Sequence, residues 1–317
     1  MRRAVRTALA DLDPGAHVLV GCSGGADSTA LTDATVFEGV RAGWLVAAVV
    51  VDHGLQDGSD ATAARVAGTC RAIGCARVDV VRVEVGSDGG PEAAARTARY
   101  AAITALAERE DATVLLGHTL DDQAETVLLG LGRGSGTRSL SGMSEVSGRF
   151  RRPLLGVRRE QTRAACLARG LEWWDDPHNV DPSYARVRVR HQALPALEDA
   201  LGPGVTEALA RTATATRADA DALDELAADL LETVSQRNGE LAVDALVTAP
   251  PALRRRVLRQ AALRAGCPAG DLFAVHVDEL ERLVVDWHGQ GPITLPGDVA
   301  AARRQGALTF ERSAVGG

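Results

Sequence analysis

Short β-branched apolar runs alternate with alanine-rich stretches of helical character through the first 130 residues. The runs are Val18-Leu19-Val20, Leu45 to Val51, Val78 to Val85 and Thr113 to Leu116, and the helical stretches span roughly 27–42, 60–74, 91–109 and 121–132. Continuous apolar strands separated by helices read as βαβ units. They predict an α/β fold with a parallel, twisted sheet covered by helices on both faces. In such sheets ligands bind outside the carboxyl ends of the strands. Three polar segments fall at those ends: Ser23–Ser28, Asp52-His53-Gly54 and Gly117-His118.

The texture changes after residue 132. A Gly/Ser stretch, Gly132-Arg133-Gly134-Ser135-Gly136, leads into arginine-rich sequence that runs to about residue 190. From Val205 to about Gln236, apolar or small residues recur in steps of three and four at Leu209, Ala213, Thr216, Ala220, Leu223, Ala227, Leu230 and Val234, one face of a long helix. Pro250-Pro251 open another helix, and Asp271 is placed to cap a third that runs to about Trp287. Short strands are expected at Ile293-Thr294-Leu295 and Ala307 to Phe310, around turns at Pro296-Gly297 and Gln305-Gly306. The chain therefore divides into residues 1–200 and a smaller, mainly helical domain, 201–317, and its length of 317 fits two domains.

Composition narrows the chemistry. The 35 basic residues are all arginine, so no lysine is available for a Walker A loop, a Schiff base or a pyridoxal-phosphate anchor. Forty-two acids leave a net charge of 35 − 42 = −7, so a polyanion has to meet a local basic patch. The five cysteines, Cys22, Cys70, Cys75, Cys166 and Cys267, form no C-x-x-C pair, and neither a disulfide framework nor a zinc site is indicated. The longest apolar run, Trp44 to Val51, is too short for a membrane span and the N-terminus lacks a signal-peptide core, which places the chain in the cytoplasm.

The sharpest chemical signal is Ser23-Gly24-Gly25-Ala26-Asp27-Ser28, set between a strand and a helix. Two glycines let successive N–H groups turn into one concavity, the helix N-terminus adds its positive dipole end, and the serines add donors. That is a cradle for pyrophosphate. Asp27 would repel phosphate directly but is well placed to hold Mg²⁺ against it.

This loop resembles the SGGxDS loop of the PP-loop (N-type) ATP pyrophosphatases, whose fold is Rossmann-like and which need no P-loop lysine. Further segments resemble the tRNA(Ile)-lysidine synthetase family within that superfamily: Val51-Asp52-His53-Gly54-Leu55, Glu92 to Tyr100 with Arg96 and Arg99, and Gly117-His118-Thr119-Leu120-Asp121-Asp122-Gln123-Ala124-Glu125-Thr126. Arg133 to Gly136, Arg152-Pro153-Leu154-Leu155, Trp174-Asp175-Asp176-Pro177 and, in the tail, Leu295-Pro296-Gly297 with Arg303 follow in the family's order. The resemblance implies an enzyme that uses ATP and free L-lysine to convert the wobble cytidine of a CAU-anticodon isoleucine tRNA to lysidine. In that reaction an adenylated cytidine forms, pyrophosphate leaves, and lysine then displaces AMP.

By the same resemblance, Ser23, Gly24, Gly25, Ala26, Asp27, Ser28, Asp52, His53 and Gly117 bind ATP, Asp27 holds the metal, and Asp122 and Glu125 hold the lysine. Asp122 and Glu125, three residues apart, share a helix face, where capping carboxylates are the plainer use of such a pair. The lysine ammonium, with an ordinary pKa of about 10.4, has to lose a proton before it attacks, and which carboxylate takes it stays open. His118 joins Asp27, Asp122 and Glu125 as a catalytic candidate, although a structural role fits it, and His53, equally well.

Candidate tRNA contacts are Arg96, Arg99, Arg151, Arg152, Arg186, Arg188 and Arg190, with Arg254 and Arg255 in the second domain. Between Arg149 and His191 ten arginines face five acids, a local balance of +5, with Trp173, Trp174 and Tyr184 interleaved. Two positions depart from the family: Val187 stands where an Asn is usual and His178 where a Ser is usual. The chain resembles the short class of synthetase without a further C-terminal domain, and a homodimer is an open expectation. Rival readings are a tRNA thiolase of the same superfamily and a nucleotide sensor without catalysis.

Overall fold

In the computed structural model, which describes residues 1–54, 58–86, 91–134, 137–236 and 239–312, each apolar run becomes a strand. Leu55, Ser135 and Gly136 of the motifs above lie outside the described residues, as do the side chains of Glu92 and His178. The first unit begins α1 (Arg2–Ala8), β1 (His17–Gly21), α2 (Ala26–Ala42), β2 (Leu45–Asp52), α3 (Ser59–Ile73), β3 (Arg77–Arg82), α4 (Pro91–Arg109), β4 (Thr113–Leu116) and α5 (Leu120–Arg133). Strands β3, β2, β1 and β4 lie side by side, all parallel.

Alternation along β1 explains the two layers. Val18 and Val20 point to α1 and α2, meeting Val5, Leu9, Leu31 and Ala34. Leu19 points to the other face, where Ile103, Leu106 and Ala107 of α4 cover it with Val49, Val114 and Leu116.

After a short α6 (Thr137–Leu140), the arginine-rich stretch holds a hairpin that the sequence pattern does not reveal, β5 (Val146–Ser147) and β6 (Phe150–Arg151). Strand β6 pairs parallel with β4 and completes a six-stranded sheet in the order β3-β2-β1-β4-β6-β5. Two-residue strands are too short for any periodicity. Next come α7 (Arg159–Arg169), α8 (Ala185–Arg188), a π-turn at Val189–Ala193 and α9 (Leu194–Leu201).

The long helix, α10 (Val205–Val234), follows the expected span, with Ala213, Ala220, Ala227 and Val234 buried along one stripe. The chain separates into compact units Met1–Thr214 and Ala215–Gly317, so the division lies within α10 rather than at 200/201. The cause is local. Glu198 of α9 accepts the N–H groups of Gly204, Val205 and Thr206 at 2.8, 3.2 and 2.9 Å, fastening the start of α10 to the first unit.

The second unit packs α11 (Val243–Thr248), α12 (Pro251–Arg264) and α13 (Ala274–Val285) with the last part of α10 against an antiparallel sheet. That sheet contains β7 (Leu241–Ala242), β8 (Ile293–Leu295), β9 (Val299–Arg304) and β10 (Ala307–Arg312) in the order β7-β10-β9-β8. Strand β9, Val-Ala-Ala-Ala-Arg-Arg, was not expected, because alanine and arginine carry little strand signal. Its partner is fixed by the turn: Gln305 (φ 49°) and Gly306 (φ 81°) form a two-residue hairpin loop with Arg304 opposite Ala307. Asp271 does not cap α13. It sits in the preceding turn, where its carbonyl accepts from Phe273 N–H, and Phe273 is the cap position.

Candidate functional site

The loop after β1 is built by its small residues. Gly24 has φ 85°, and a Cβ there would lie 2.4 Å from Val66 Cγ2, so both backbone angle and space require glycine. Ser28 does not face outward. Its hydroxyl accepts from Ser23 N–H at 3.2 Å and donates to Gly25 C=O at 3.0 Å, and only 6% of the residue is exposed. It therefore shapes the turn, with Ser23 exposed beside it and Gly25 at the N-cap of α2. Trp174 N–H donates to Gly24 C=O at 2.8 Å, docking the Trp-Asp-Asp-Pro segment onto the loop.

A close approach brings the second motif in. A Cβ on Gly117 would lie 3.1 Å from the backbone of Asp27 and Ser28, so the end of β4 touches the first turn of α2. Thr119 then caps α5. Its hydroxyl accepts from Asp122 N–H at 3.4 Å, and its N–H donates to Asp122 Oδ2 at 2.8 Å, a reciprocal capping box. Capping is thus a use of Asp122, as the plainer reading of the sequence has it. Only its second oxygen is left to do more.

That oxygen belongs to a charged cluster that the sequence pattern does not expose. Arg159, at the start of α7, donates from Nη2 to Asp122 Oδ1 at 2.7 Å and to Glu125 Oε1 at 3.2 Å, and its Nε lies 3.5 Å from Asp27 Oδ2. Its backbone N–H donates to Asp121 Oδ2 at 2.7 Å. Arg190 binds Glu125 through Nε at 2.7 Å and Nη2 at 3.1 Å and reaches Asp122 Oδ1 at 3.4 Å, and Arg186 lies 3.9 Å from Glu125. Thr162 donates to Asp27 Oδ1. Glu125 is wholly buried and Asp122 is 8% exposed.

Burial opposes charge on Asp122, but Arg159, the Thr119 N–H, His118 and Arg190 outweigh it and hold its carboxyl below the usual range. Asp27 is shifted the other way: burial, with a smaller push from Asp122, raises its pKa against the pull of Thr162 and Arg159. Burial also opposes the charge on Arg159, and Asp122, Glu125 and Asp27 raise its pKa regardless.

His118 is driven down to about 3 by burial, against the attraction of Asp122 and with Arg152, Arg99 and Arg96 adding to the depression. Its imidazole is neutral at physiological pH. Burial likewise lowers His53, and Asp52, which accepts Gly54 N–H at 3.0 Å, is held ionised by that bond. Among the described residues, three buried side-chain atoms lack a hydrogen-bond partner: His53 Nδ1, His118 Nδ1 and Arg152 Nε. Orphans of this kind mark places where a bound group completes the bonding. Arg152 also lines a groove of about 590 Å³ with Arg96, Thr97, Tyr100, Thr104 and Glu108, to which the loop contributes no residue. Arg96 stacks over Tyr100 at 4.8 Å and Arg99 at 5.7 Å, and among the described residues neither forms an ion pair.

The remaining expected tRNA contacts divide. Arg186 and Arg190 join the carboxylate cluster instead of facing outward, and Arg188 donates to the carbonyls of Pro182 and Ser183 at 2.7 Å each. Arg151 is paired with Asp11. Arg254 is not on a gripping surface: it is buried, bonded to Glu281 at 2.9 Å and to the carbonyls of Val247 and Ala249. Arg255 is paired with Asp278 and Glu281. The sequence counts arginines but does not show which already have partners. Arg159 and Thr162 were missed for the same reason, since one arginine among ten carries no mark of its neighbours.

A parallel sheet with a glycine-serine phosphate loop at its carboxyl edge defines a nucleotide-binding protein of the PP-loop class, and residues 1–197 match the PP-loop domain family. Residues 241–309 match the TilS substrate binding domain. The tRNA(Ile)-lysidine synthase of Streptomyces coelicolor is 57% identical over 299 residues, covering 93% of this chain and 85% of its own. That of Thermobifida fusca is 54% identical, covering 97% and 95%, and that of Mycobacterium bovis is 49% identical, covering 93% and 91%. This chain belongs to the tRNA(Ile)-lysidine synthase family. Among solved structures, the U34-tRNA thiolase NcsA from Methanococcus maripaludis shares the fold, with a TM-score of 0.54 at 20% identity over 67% of this chain and 76% of its own.

Proposed function

We propose that this protein joins free L-lysine to C2 of the wobble cytidine of tRNA(Ile) with a CAU anticodon, consuming ATP and releasing AMP and pyrophosphate. The observation that carries this reading is the meeting of a phosphate loop with a buried carboxylate pair, Asp27 being linked through one guanidinium to Asp122 and Glu125. A triphosphate site and an ammonium site then lie side by side, as a two-substrate ligation needs.

In the first step cytosine O2 attacks the α-phosphorus and pyrophosphate leaves. Backbone N–H groups of Gly24 to Ala26 and the α2 dipole would stabilise the departing charge. Mg²⁺ fits this site through Asp27, whose partly exposed carboxylate is next to the loop; phosphate oxygens and water would complete its shell, and it would neutralise the leaving group. Neutral His118 would offer a hydrogen bond through its unpartnered Nδ1 rather than a proton.

In the second step the lysine ε-nitrogen attacks C2, and the C2–O bond breaks with AMP as leaving group. Asp122 and Glu125 would hold the amine. Asp122, kept ionised by its neighbours, serves to hold charge rather than to take the proton. Arg96, Arg99 and Arg152 are the arginines best disposed to meet tRNA phosphate, the target base being unstacked from its single-stranded loop.

The thiolase alternative is disfavoured by the thiols at the loop: Cys22, which precedes it, is buried against Ser28 Oγ and pushed up by Cys70 and by burial. Cys166 is buried, bonded to Ala26 C=O and pushed up to about 11 by burial and by Asp27, the reverse of a sulfur-relay thiolate. No helix among the described residues is long and apolar enough to cross a membrane, and we place the reaction in the cytoplasm, where tRNA and free lysine are available. The test is incorporation of labelled lysine into tRNA with ATP and Mg²⁺. Incorporation by the wild type and its loss in Asp27→Ala are expected; pyrophosphate release without incorporation in the wild type would refute the reading.

A further inference from the structure

Arg159 stands between the two proposed substrate sites, and every carboxylate oxygen of the lysine site already has a partner. Asp122 Oδ2 is held by Thr119, and Asp122 Oδ1 accepts from Arg159 at 2.7 Å and Arg190 at 3.4 Å. Glu125 Oε1 accepts from Arg190 at 2.7 Å and Arg159 at 3.2 Å, and Oε2 from Arg190 at 3.1 Å. An ammonium docking here therefore competes with Arg159 and Arg190 for Asp122 Oδ1 and Glu125 Oε1, each of which already accepts two bonds. A guanidinium that gives up a buried carboxylate needs another anion within reach, since a charge stranded in the interior is strongly unfavourable.

Geometry points Arg159 at one such anion. Its Nε already faces Asp27 Oδ2 at 3.5 Å, on the loop side of the cluster. Asp27 alone is a weak acceptor for it, because Thr162 already donates to that carboxyl and the Nε–Oδ2 separation is long for a hydrogen bond. Phosphate oxygens seated on Gly24 to Ala26 would supply the missing charge, and a planar guanidinium binds phosphate as readily as carboxylate. Arg190 has no comparable exit, since its ion pairs are with Glu125 and Asp122.

We propose that Arg159 is a positioning residue that couples the two substrates: it covers Asp122 and Glu125 until nucleotide triphosphate binds, then turns to the phosphates and yields those oxygens to the lysine ammonium. The proposal rests on the reading above that the loop takes ATP and the pair takes lysine. ATP and lysine should then bind with positive linkage, and the linkage must be reciprocal.

The experiment is calorimetric titration of L-lysine into the full-length protein with Mg²⁺, with and without α,β-methylene-ATP. In the wild type the analogue is expected to tighten lysine binding by about tenfold, and lysine to tighten the analogue by the same factor. In Arg159→Met, lysine is expected to bind about tenfold more tightly than in the wild type without nucleotide, with the analogue's effect falling to about twofold or less. Arg159→Lys, which keeps the charge but cannot span the sites, should retain only part of the linkage. Wild-type lysine binding indifferent to the analogue would overturn the proposal, and that measurement needs no variant to fold. So would an Arg159→Met that weakens lysine binding yet keeps the full linkage. Asp122→Asn separates the two levels: if it leaves lysine affinity unchanged, the lysine assignment itself falls and the proposal with it, whereas lost affinity in Asp122→Asn without linkage in the wild type overturns the coupling alone.

Discussion

Two arginine–carboxylate clusters in this chain use the same groups to different ends. In the second unit, Arg254 and Arg255 of α12 bind Glu281 and Asp278 of α13, and Arg254 also bonds the carbonyls at the end of α11. Every partner comes from packed helices of that unit. In the first unit, Arg159 and Arg190 gather carboxylates from two separate motifs, Asp27 after β1 and Asp122 with Glu125 on α5. Close by, His118 and Arg152 keep buried nitrogens without partners. The second-unit cluster closes among the helices of its own unit, whereas the first-unit cluster joins separate motifs beside two buried nitrogens that have no partner.

That contrast can be broken by mutation. The largest effect is expected for Asp122→Asn, with lysine incorporation falling by about a hundredfold or more while tRNA-dependent pyrophosphate release persists. Equal loss of both steps would remove the division of labour between loop and pair. Gly24→Ala should come next. Its Cβ meets Val66 at 2.4 Å and its φ is 85°, so a loss of about 1–3 kcal/mol in stability should accompany weakened nucleotide binding, read by denaturant unfolding and nucleotide titration.

Glu281→Gln is the mirror of Asp122→Asn. It strands buried Arg254 and should lower stability by about 3 kcal/mol with lysine incorporation per folded molecule unchanged. A fall in that specific activity would make the second cluster functional too. Arg96→Met should weaken tRNA binding only a few-fold and lower the slope of log affinity against log salt by about one, with the Michaelis constant for ATP unchanged.

A further effect is a pH dependence. His118 is lowered from its ordinary 6.5 to about 3, so between those values the unfolded chain binds the extra proton. Stability contributed by keeping the ring neutral is complete above pH 6.5 and is lost as pH falls toward 3. His118→Gln should therefore flatten the melting-temperature profile across that window, and an unchanged profile would put His118 outside the buried cluster.

Most of the sheet was legible in the sequence because its strands are continuous β-branched runs. Thr113–Leu116 is found to the residue, and the long helix ends within two residues of its expected limit. What escaped had no local signature. The β5–β6 hairpin has two residues per strand, β9 is alanine and arginine, and the cap of α13 is Phe273, a residue type that supplies no capping oxygen. The site divided in the same way. Ser23–Ser28, Asp122 and Glu125 stand out by spacing, whereas Arg159 acquires its meaning only from neighbours 34 to 132 positions away, the separations from Glu125 and Asp27. Arg254 erred in the opposite direction, since a run of three arginines reads as an exposed face although the first of them is buried.

The capping box at Thr119 has a consequence for how finely the first unit can tune its chemistry. The carboxyl that starts the helix is the same one that offers its other oxygen to Arg159 and Arg190, so its place is set by main-chain geometry instead of by a side chain's own torsional preferences. An anchor riveted to the backbone in this way is hard to retune without unwinding the first turn. If the pair takes the lysine as proposed, changes in amine preference are more easily reached by altering its neighbours than by replacing it.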